Sequence, residues 1–142
     1  MSDMDLLQTR DVVTAPWPVG PTLHDELMAV QDYDLVLMMT LTPEQTGVPF
    51  AVWISTDLGE HGPRVKGYVG RHGRHEPSFS MSISGEPEIE VSSYNERETR
   101  RAAALLEPWV RLNHEALLDY WYNGTEWFDP QVRAFVDALK KV

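Results

Sequence analysis

The spacing of apolar residues predicts a run of short strands in the first two thirds of the chain. Two apolar segments of strand length, DLVLMMTL at 34–41 and VPFAVWIS at 48–55, flank TPEQTG, whose proline and glycine favour a turn. RVKGYV at 64–69 alternates between apolar and polar residues, and SFSMSIS at 78–84 alternates strictly, with serine at every second position. Such alternation is typical of antiparallel strands with one face in the core and the other in water.

A fifth strand is predicted at 88–92, where Ile89 and Val91 are expected to continue the inner face. Because the five segments follow one another through short connections, we expect an antiparallel meander. The outer face of this sheet is expected to carry these polar side chains: Arg64, Lys66, Tyr68, Ser78, Ser80, Ser82, Ser84, Glu88 and Glu90.

After the fifth strand the apolar period changes from two to about 3.6, which predicts helices. The predicted core stripe consists of Leu105, Trp109, Leu112, Ala116 and Tyr120, with Leu106, Leu117 and Trp121 beside it. Pro108 lies inside this segment and predicts a kink or a fresh helix start. A last helix is predicted over 129–141, with Asp129 as its cap and an apolar face of Val132, Phe135, Val136 and Leu139.

The beginning of the chain has a different character. Residues 1–20 end in APWPVGP, and its prolines predict an arm without regular structure. A short helix is predicted from Thr22, and we expect a single domain over 21–142. The predicted fold class is α+β, an antiparallel meander of about five strands with two to three helices packed on one face.

Composition narrows the function classes. The chain has 142 residues, no cysteine and a formal net charge of −10. The lack of cysteine excludes disulfides and thiolate sites, and the charge argues against general nucleic-acid or anionic-membrane binding. No signal peptide is recognisable, and no stretch approaches the roughly 20 apolar residues of a membrane span. We therefore expect a cytoplasmic protein without a membrane segment.

Charge is unevenly distributed, because 61–75 contains four bases and three of the five histidines but no acid. Arginine forks and glycine-freed amides can hold an anion, whereas a solvated hairpin tip over 70–77 is the alternative interpretation. A second candidate surface is the aromatic cluster YWYNGTEWF. The candidate partner-binding residues are Arg64, Lys66, Tyr68, Arg71, His72, Arg74, His75, Trp121 and Trp127.

Candidate catalytic chemistry receives less support from the sequence. His61, His72 and His75 are considered as metal ligands, but their spacing is loose and neighbouring cations oppose a divalent ion. NHEALL lacks the second histidine of a metalloprotease helix, since position 118 is leucine. The serines at 78–84 lie in a strand, not on the sharp turn of a nucleophilic serine. We predict no catalytic residue, no metal and no cofactor.

From residue 50 the order of motifs resembles a family of short bacterial proteins of unknown function, often encoded near toxin–antitoxin or mobile-element genes. AVWISTD, GPRVKGYVG, SFSMSISGEPEIEV and LLEPWVRLNHEALLDYW follow in that family's order, and Trp109, Asn113, Leu117 and Trp121 match its tryptophan-rich helix. Arg64 and Lys66 stand where the family's PPHxHV segment has histidines. The resemblance implies an α+β fold and a small accessory or binding role, but no reaction.

These observations favour a non-enzymatic protein-interaction module of bacterial or mobile-element origin, such as a toxin–antitoxin accessory. It would bind a protein partner through the outer sheet face or the helix and its aromatic edge. Two alternatives stay open: an acidic inhibitor that imitates nucleic acid on a basic enzyme, as in phage anti-defence proteins, and a small metal-dependent hydrolase. The oligomeric state is also open, with a homodimer among the alternatives.

Overall fold

The computed structural model describes residues 37–57, 59 and 61–142, which belong to a compact unit, Val36–Val142. The arm predicted over 1–20, the helix predicted from Thr22 and the start of the first strand lie outside the described residues. No described helix combines the length and the apolar character that crossing a membrane requires.

Within this unit the predicted α+β class is confirmed. Five strands form one antiparallel sheet in the order β1–β2–β3–β4–β5, a simple meander. The strands are β1 (Met38–Leu41), β2 (Ala51–Ser55), β3 (Arg64–Tyr68), β4 (Phe79–Ser82) and β5 (Ile89–Ser92). The helices are α1 (Pro43–Thr46), α2 (Glu96–Asn123) and α3 (Asp129–Ala138), with a 3₁₀ turn at Gly124–Glu126.

The core lies between one face of the sheet and the long helix α2. Alternate residues of the strands point into it, and α2 contributes a continuous buried side. The buried strand residues include Leu41, Val52, Ile54, Val65, Phe79 and Met81. This alternation follows the period of two that the sequence shows in β3 and β4. The opposite side of the sheet, which faces away from α2, is called the outer face below.

The connection between β1 and β2 is more ordered than the predicted turn. Thr42 caps the one-turn helix α1: its Oγ1 accepts the Gln45 N–H, and Gln45 Oε1 accepts the Thr42 N–H. Gly47 ends the helix at φ 83°, a conformation that favours glycine. Val142 donates its N–H to Thr46 O at 2.9 Å, so the chain's last residue packs beside this turn.

The prediction for β5 is wrong at Val91, because β5 contains a register shift opposite Ser80 and Met81. Ile89 pairs with Met81 on the core side, whereas Val91 pairs with Ser80 on the outer face and is 62% exposed. Glu90 is the extra residue between them. A bulge of this kind exchanges the faces to which the following side chains point, and the alternation in EIEVS gives no sign of it.

The predicted stripe of α2 is also wrong in part. Leu105 and Leu112 are 45% and 47% exposed, and the buried side instead runs through Thr99, Leu106, Asn113 and Tyr120, spaced seven residues apart. The helix passes through Pro108 without a fresh start. Pro108 and Ala104 are both exposed, so the Ala104 carbonyl that Pro108 cannot pair with faces water.

The last helix begins one residue earlier than predicted, at the residue expected to be its cap. Phe128 is the cap and Asp129 the first helical residue, while Phe128 N–H donates to Gln131 Oε1 at 2.8 Å. Phe135 of α3 stacks on Tyr120 of α2, with 4.8 Å between ring centroids. This contact closes the core at the C-terminal end of α2.

Candidate binding face of the sheet

The outer face is built by strand pairing that aligns one row of side chains across four strands. Thr40 pairs with Trp53, Trp53 with Lys66, and Lys66 with Ser80. Directly paired residues of antiparallel strands point to the same side of a sheet. The row therefore joins an aromatic ring, an ammonium group and two hydroxyls, with Arg64 on the same side of β3.

A groove of about 660 Å³ lies over the first half of this row. Its lining consists of Met38, Met39, Thr40, Trp53, Lys66, Tyr68, Gly73 and Arg74. Two of these side chains are cations and none is a carboxylate, although the chain has a net charge of −10. The groove thus combines apolar, aromatic and hydroxyl surface with local positive charge.

Lys66 occupies the centre of this arrangement. Its Nζ lies 5.0 Å from the centroid of the Trp53 ring, within the range of a cation–π contact. Burial lowers the pKa of Lys66 below its ordinary value, and the neighbouring Arg64 guanidinium lowers it further. Both causes destabilise the ammonium form. An anion bound in the groove would favour the ammonium form and so oppose both effects.

Arg64 adds a second cation beside Lys66. Its Nε is buried and has no hydrogen-bond partner among the described residues. A buried donor without a partner is costly. Arg64 does not line the groove, and its effect there is the one it has on the charge of Lys66. On β3 the next outward side chain after Arg64 is Lys66, and the one after that is Tyr68.

Tyr68 is predicted as a surface residue, but only 5% of it is exposed. Its ring makes an edge contact with His72 of the following loop, with centroids 6.5 Å apart. Burial raises the pKa of Tyr68 above its ordinary value, and the nearby Tyr94 raises it further. Tyr68 therefore stays a neutral phenol at physiological pH and can donate a hydrogen bond.

The basic loop lies where the sequence predicts it, between β3 and β4, and only part of it faces the groove. Gly73, at φ 147°, and Arg74 line the groove, and the Glu76 N–H donates to Gly73 O across a tight turn. Arg71 and His75 are exposed and do not line it. The structure therefore separates the two arginines of the loop.

The histidines are placed as loop residues rather than as a cluster. His61, His72 and His75 are all exposed. In the part of the chain that the structure describes, no three histidine, aspartate or glutamate side chains are grouped as metal ligands.

The serines at the end of β4 and just after it support the adjoining turn. Ser82 Oγ accepts the Glu88 N–H at 2.9 Å, and Ser84 Oγ accepts the Glu86 N–H at 3.0 Å. Ser80 is only 5% exposed. These hydroxyls are thus engaged or buried, unlike the solvated row that the alternation predicts.

The aromatic cluster is not part of the groove. Trp121 is 2% exposed and presents no ring at the surface. Trp127 is half-buried and packs against Tyr120 and Phe135, at centroid distances of 5.9 and 5.5 Å. The exposed aromatics of this segment are Tyr122 and Phe128, which the sequence reasoning did not single out.

Sequence reasoning also missed Met38, Thr40 and Trp53, which form one wall of the groove. Both segments that contain them are apolar almost throughout, and such runs predict strands buried on both faces. The available signal was the order of the strands, because a meander places 48–55 between 34–41 and 64–69, and the observed register then pairs Trp53 with Thr40 and Lys66. Alternation in β3 alone identified Arg64, Lys66 and Tyr68.

Comparison with known proteins does not supply a role. No family model, no curated protein and no solved structure matches the chain. The resemblance to the short bacterial family stays a prediction.

Proposed function

We propose that the chain is a non-enzymatic interaction module that binds an acidic segment of a partner protein in the groove of the outer face. The observation behind this proposal is the lining of that groove. Lys66 and Arg74 meet there beside Trp53 and Met38, with no carboxylate among the lining residues. Because the rest of the chain is acidic, it repels an acidic segment elsewhere and leaves this groove as the favoured place for it to bind.

The mixed lining favours a peptide segment over a nucleic acid. A carboxylate side chain could pair with Lys66 or Arg74 while an adjacent apolar side chain contacts Trp53 and Met38. Nucleic-acid binding draws its affinity from neutralising several phosphates along a track of cations. Two cations in one groove of an acidic protein provide little of that affinity.

The acidic-inhibitor alternative has less support from the described surface. Two acids of α2 are paired with arginines of the same helix: Glu96 with Arg100 at 3.0 Å, and Glu107 with Arg111. A mimic of nucleic acid requires a continuous array of unpaired carboxylates.

We infer a bacterial cytoplasmic setting from the family resemblance and the absence of cysteine, with a toxin–antitoxin accessory as the favoured role.

The proposal can be tested with a defined peptide probe. A fluorescein-labelled twelve-residue peptide that alternates glutamate with phenylalanine would be titrated with the full-length protein by anisotropy. A peptide with glutamine in place of glutamate provides the comparison, and we expect it to bind at least about tenfold more weakly. The backbone amide NMR signals of Trp53 and Lys66 and the indole N–H signal of Trp53 should shift on binding. Affinity for the acidic peptide should fall as salt rises.

The two loop arginines offer a matched pair of variants. Arg74→Ser should weaken binding about fivefold, the scale of an exposed ion pair, and Lys66→Gln more. Arg71→Ser removes the same charge from the same loop but not from the groove, so binding should stay within twofold of wild type. Equal losses for Arg71→Ser and Arg74→Ser would show nonspecific attraction. Tighter binding of a single-stranded oligonucleotide than of the peptide would overturn the choice of a protein partner.

A further inference from the structure

The outward side of α2 has an apolar centre that the core does not use. Leu105 and Leu112 are 45% and 47% exposed, and the neighbouring Ala104 and Pro108 are also exposed. The four residues span little more than two turns and face away from the buried side of the helix. An exposed apolar patch of this kind on a soluble surface is typical of a contact with another molecule.

Four exposed charged residues that flank this centre are separated by sign. Arg97 and Arg101 lie on its N-terminal side, and Glu115 and Asp119 lie on its C-terminal side, all of them exposed. The acids lie towards the negative end of the helix dipole, and the last turn of α2 contains no base. This arrangement is unfavourable within one helix and would be relieved by cations from outside.

A second copy of α2 supplies those cations if it lies antiparallel. Position 108 is the midpoint between 101 and 115, between 97 and 119, and between 104 and 112. A twofold axis at Pro108 therefore places Arg101 opposite Glu115 of the other copy, Arg97 opposite Asp119, and Ala104 opposite Leu112. A parallel pair would place like charges together, and so the pattern selects the antiparallel arrangement.

We propose that the chain forms a homodimer in which the outward sides of two α2 helices pack antiparallel about Pro108. Small residues at the centre, Ala104 and Pro108, allow the helix axes to approach to about 8–10 Å. Two helices alone bury an area near the lower end of specific interfaces, about 1,200 Å² in total. The dimer should therefore dissociate on dilution. It does not depend on the proposed function, because it uses a different surface.

Sedimentation velocity of the full chain across a concentration series tests the dimer. The wild type should shift from monomer to dimer as concentration rises. Arg101→Glu and Glu115→Arg should each raise the dissociation constant at least about tenfold, because each places two pairs of like charges face to face across the axis. An equimolar mixture of the two variants should regain wild-type dimerisation, as should the double variant.

The recovery is diagnostic because positions 101 and 115 are about 21 Å apart along one helix and cannot contact each other within a chain. Arg133→Glu on α3 makes the same charge change elsewhere and should dimerise like wild type. The same exchange at Arg97 and Asp119 provides a second pair if either variant fails to fold by circular dichroism. A wild-type chain that is monomeric throughout, or a mixture of folded variants that does not recover, would overturn the proposal.

Discussion

Asn113 shows how a single polar residue can lie on the buried side of a helix. Its Nδ2 donates to Trp109 O and to Lys140 O, both at 2.9 Å, and its Oδ1 accepts the Lys140 N–H at 2.8 Å. The amide thereby satisfies both backbone groups of Lys140 after α3 has ended. Only 5% of Asn113 is exposed, so these bonds are shielded from water.

Replacing Asn113 with alanine should therefore destabilise the fold. Asn113→Ala leaves the N–H and C=O of Lys140 without their partner, and we expect a loss of about 2–3 kcal/mol in the free energy of unfolding. Urea denaturation measures it. Asn123→Ala is the control. Among the described residues the Asn123 side-chain amide bonds to the exposed Asp119 carboxylate alone, and its loss should cost less than about 0.5 kcal/mol. Equal costs would contradict the role of Asn113.

Gly67 is required at the centre of β3 by packing rather than by backbone conformation. A Cβ at this position would lie 2.5 Å from Phe79 Cε1 and 2.8 Å from Phe50 Cε1, both in the core. Gly67→Ala should cost about 1–3 kcal/mol through overpacking. Gly70→Ala, where a Cβ would meet nothing within 4 Å, should change stability by less than about 0.5 kcal/mol. Thermal unfolding of the two variants provides the comparison.

Among the elements, the strands were the most predictable from the sequence. Alternation located β3 and β4, and short connections were sufficient to order the sheet. The bulge at β5 was not predictable, because one extra residue changes the face of Val91 without changing the local composition. Met38 and Trp53 were missed for a related reason: an apolar run does not show which of its alternate residues faces outwards.

The long helix was predictable in its existence but not in its orientation. Selecting large apolar residues placed Leu105 and Leu112 in the core, whereas the buried side includes Thr99 and Asn113. These polar residues are buried because each has hydrogen-bond partners elsewhere in the fold: Ser92 for Thr99 and Lys140 for Asn113. Partners that lie outside the helix are not visible in its periodicity.

Pro108 is a test of how much backbone disruption α2 tolerates. Replacing it with alanine restores a donor for the Ala104 carbonyl and should stabilise the chain by about 1–3 kcal/mol. Pro130→Ala is the control, because a proline in the first turn of α3 removes no helical hydrogen bond, and stability should hold within about 0.5 kcal/mol. Urea denaturation at concentrations where sedimentation shows monomer gives both values. A Pro108→Ala chain no more stable than wild type would show that the hydrogen bond missing at Pro108 costs the helix no stability.

At the scale of the whole molecule, the net charge of −10 conceals an uneven distribution. Residues 1–36 contain seven acids and one base, whereas residues 37–142 contain fifteen acids and eleven bases. Overall acidity therefore says little about the individual surfaces of the described unit. A cationic groove and an outward helix side with Arg97 and Arg101 at one end and Glu115 and Asp119 at the other are both compatible with the total charge.

The two proposed surfaces lie on opposite sides of the described unit, because the sheet and the core separate the groove from the outward side of α2. Substitutions that are distant and share no partner usually have additive effects. Arg101→Glu should therefore leave affinity for the acidic peptide within twofold of wild type, and Lys66→Gln should leave the dimer's sedimentation unchanged. Anisotropy and sedimentation on the same two variants measure both. A peptide affinity that falls about tenfold on dissociation would instead show that binding in the groove and dimerisation are energetically coupled.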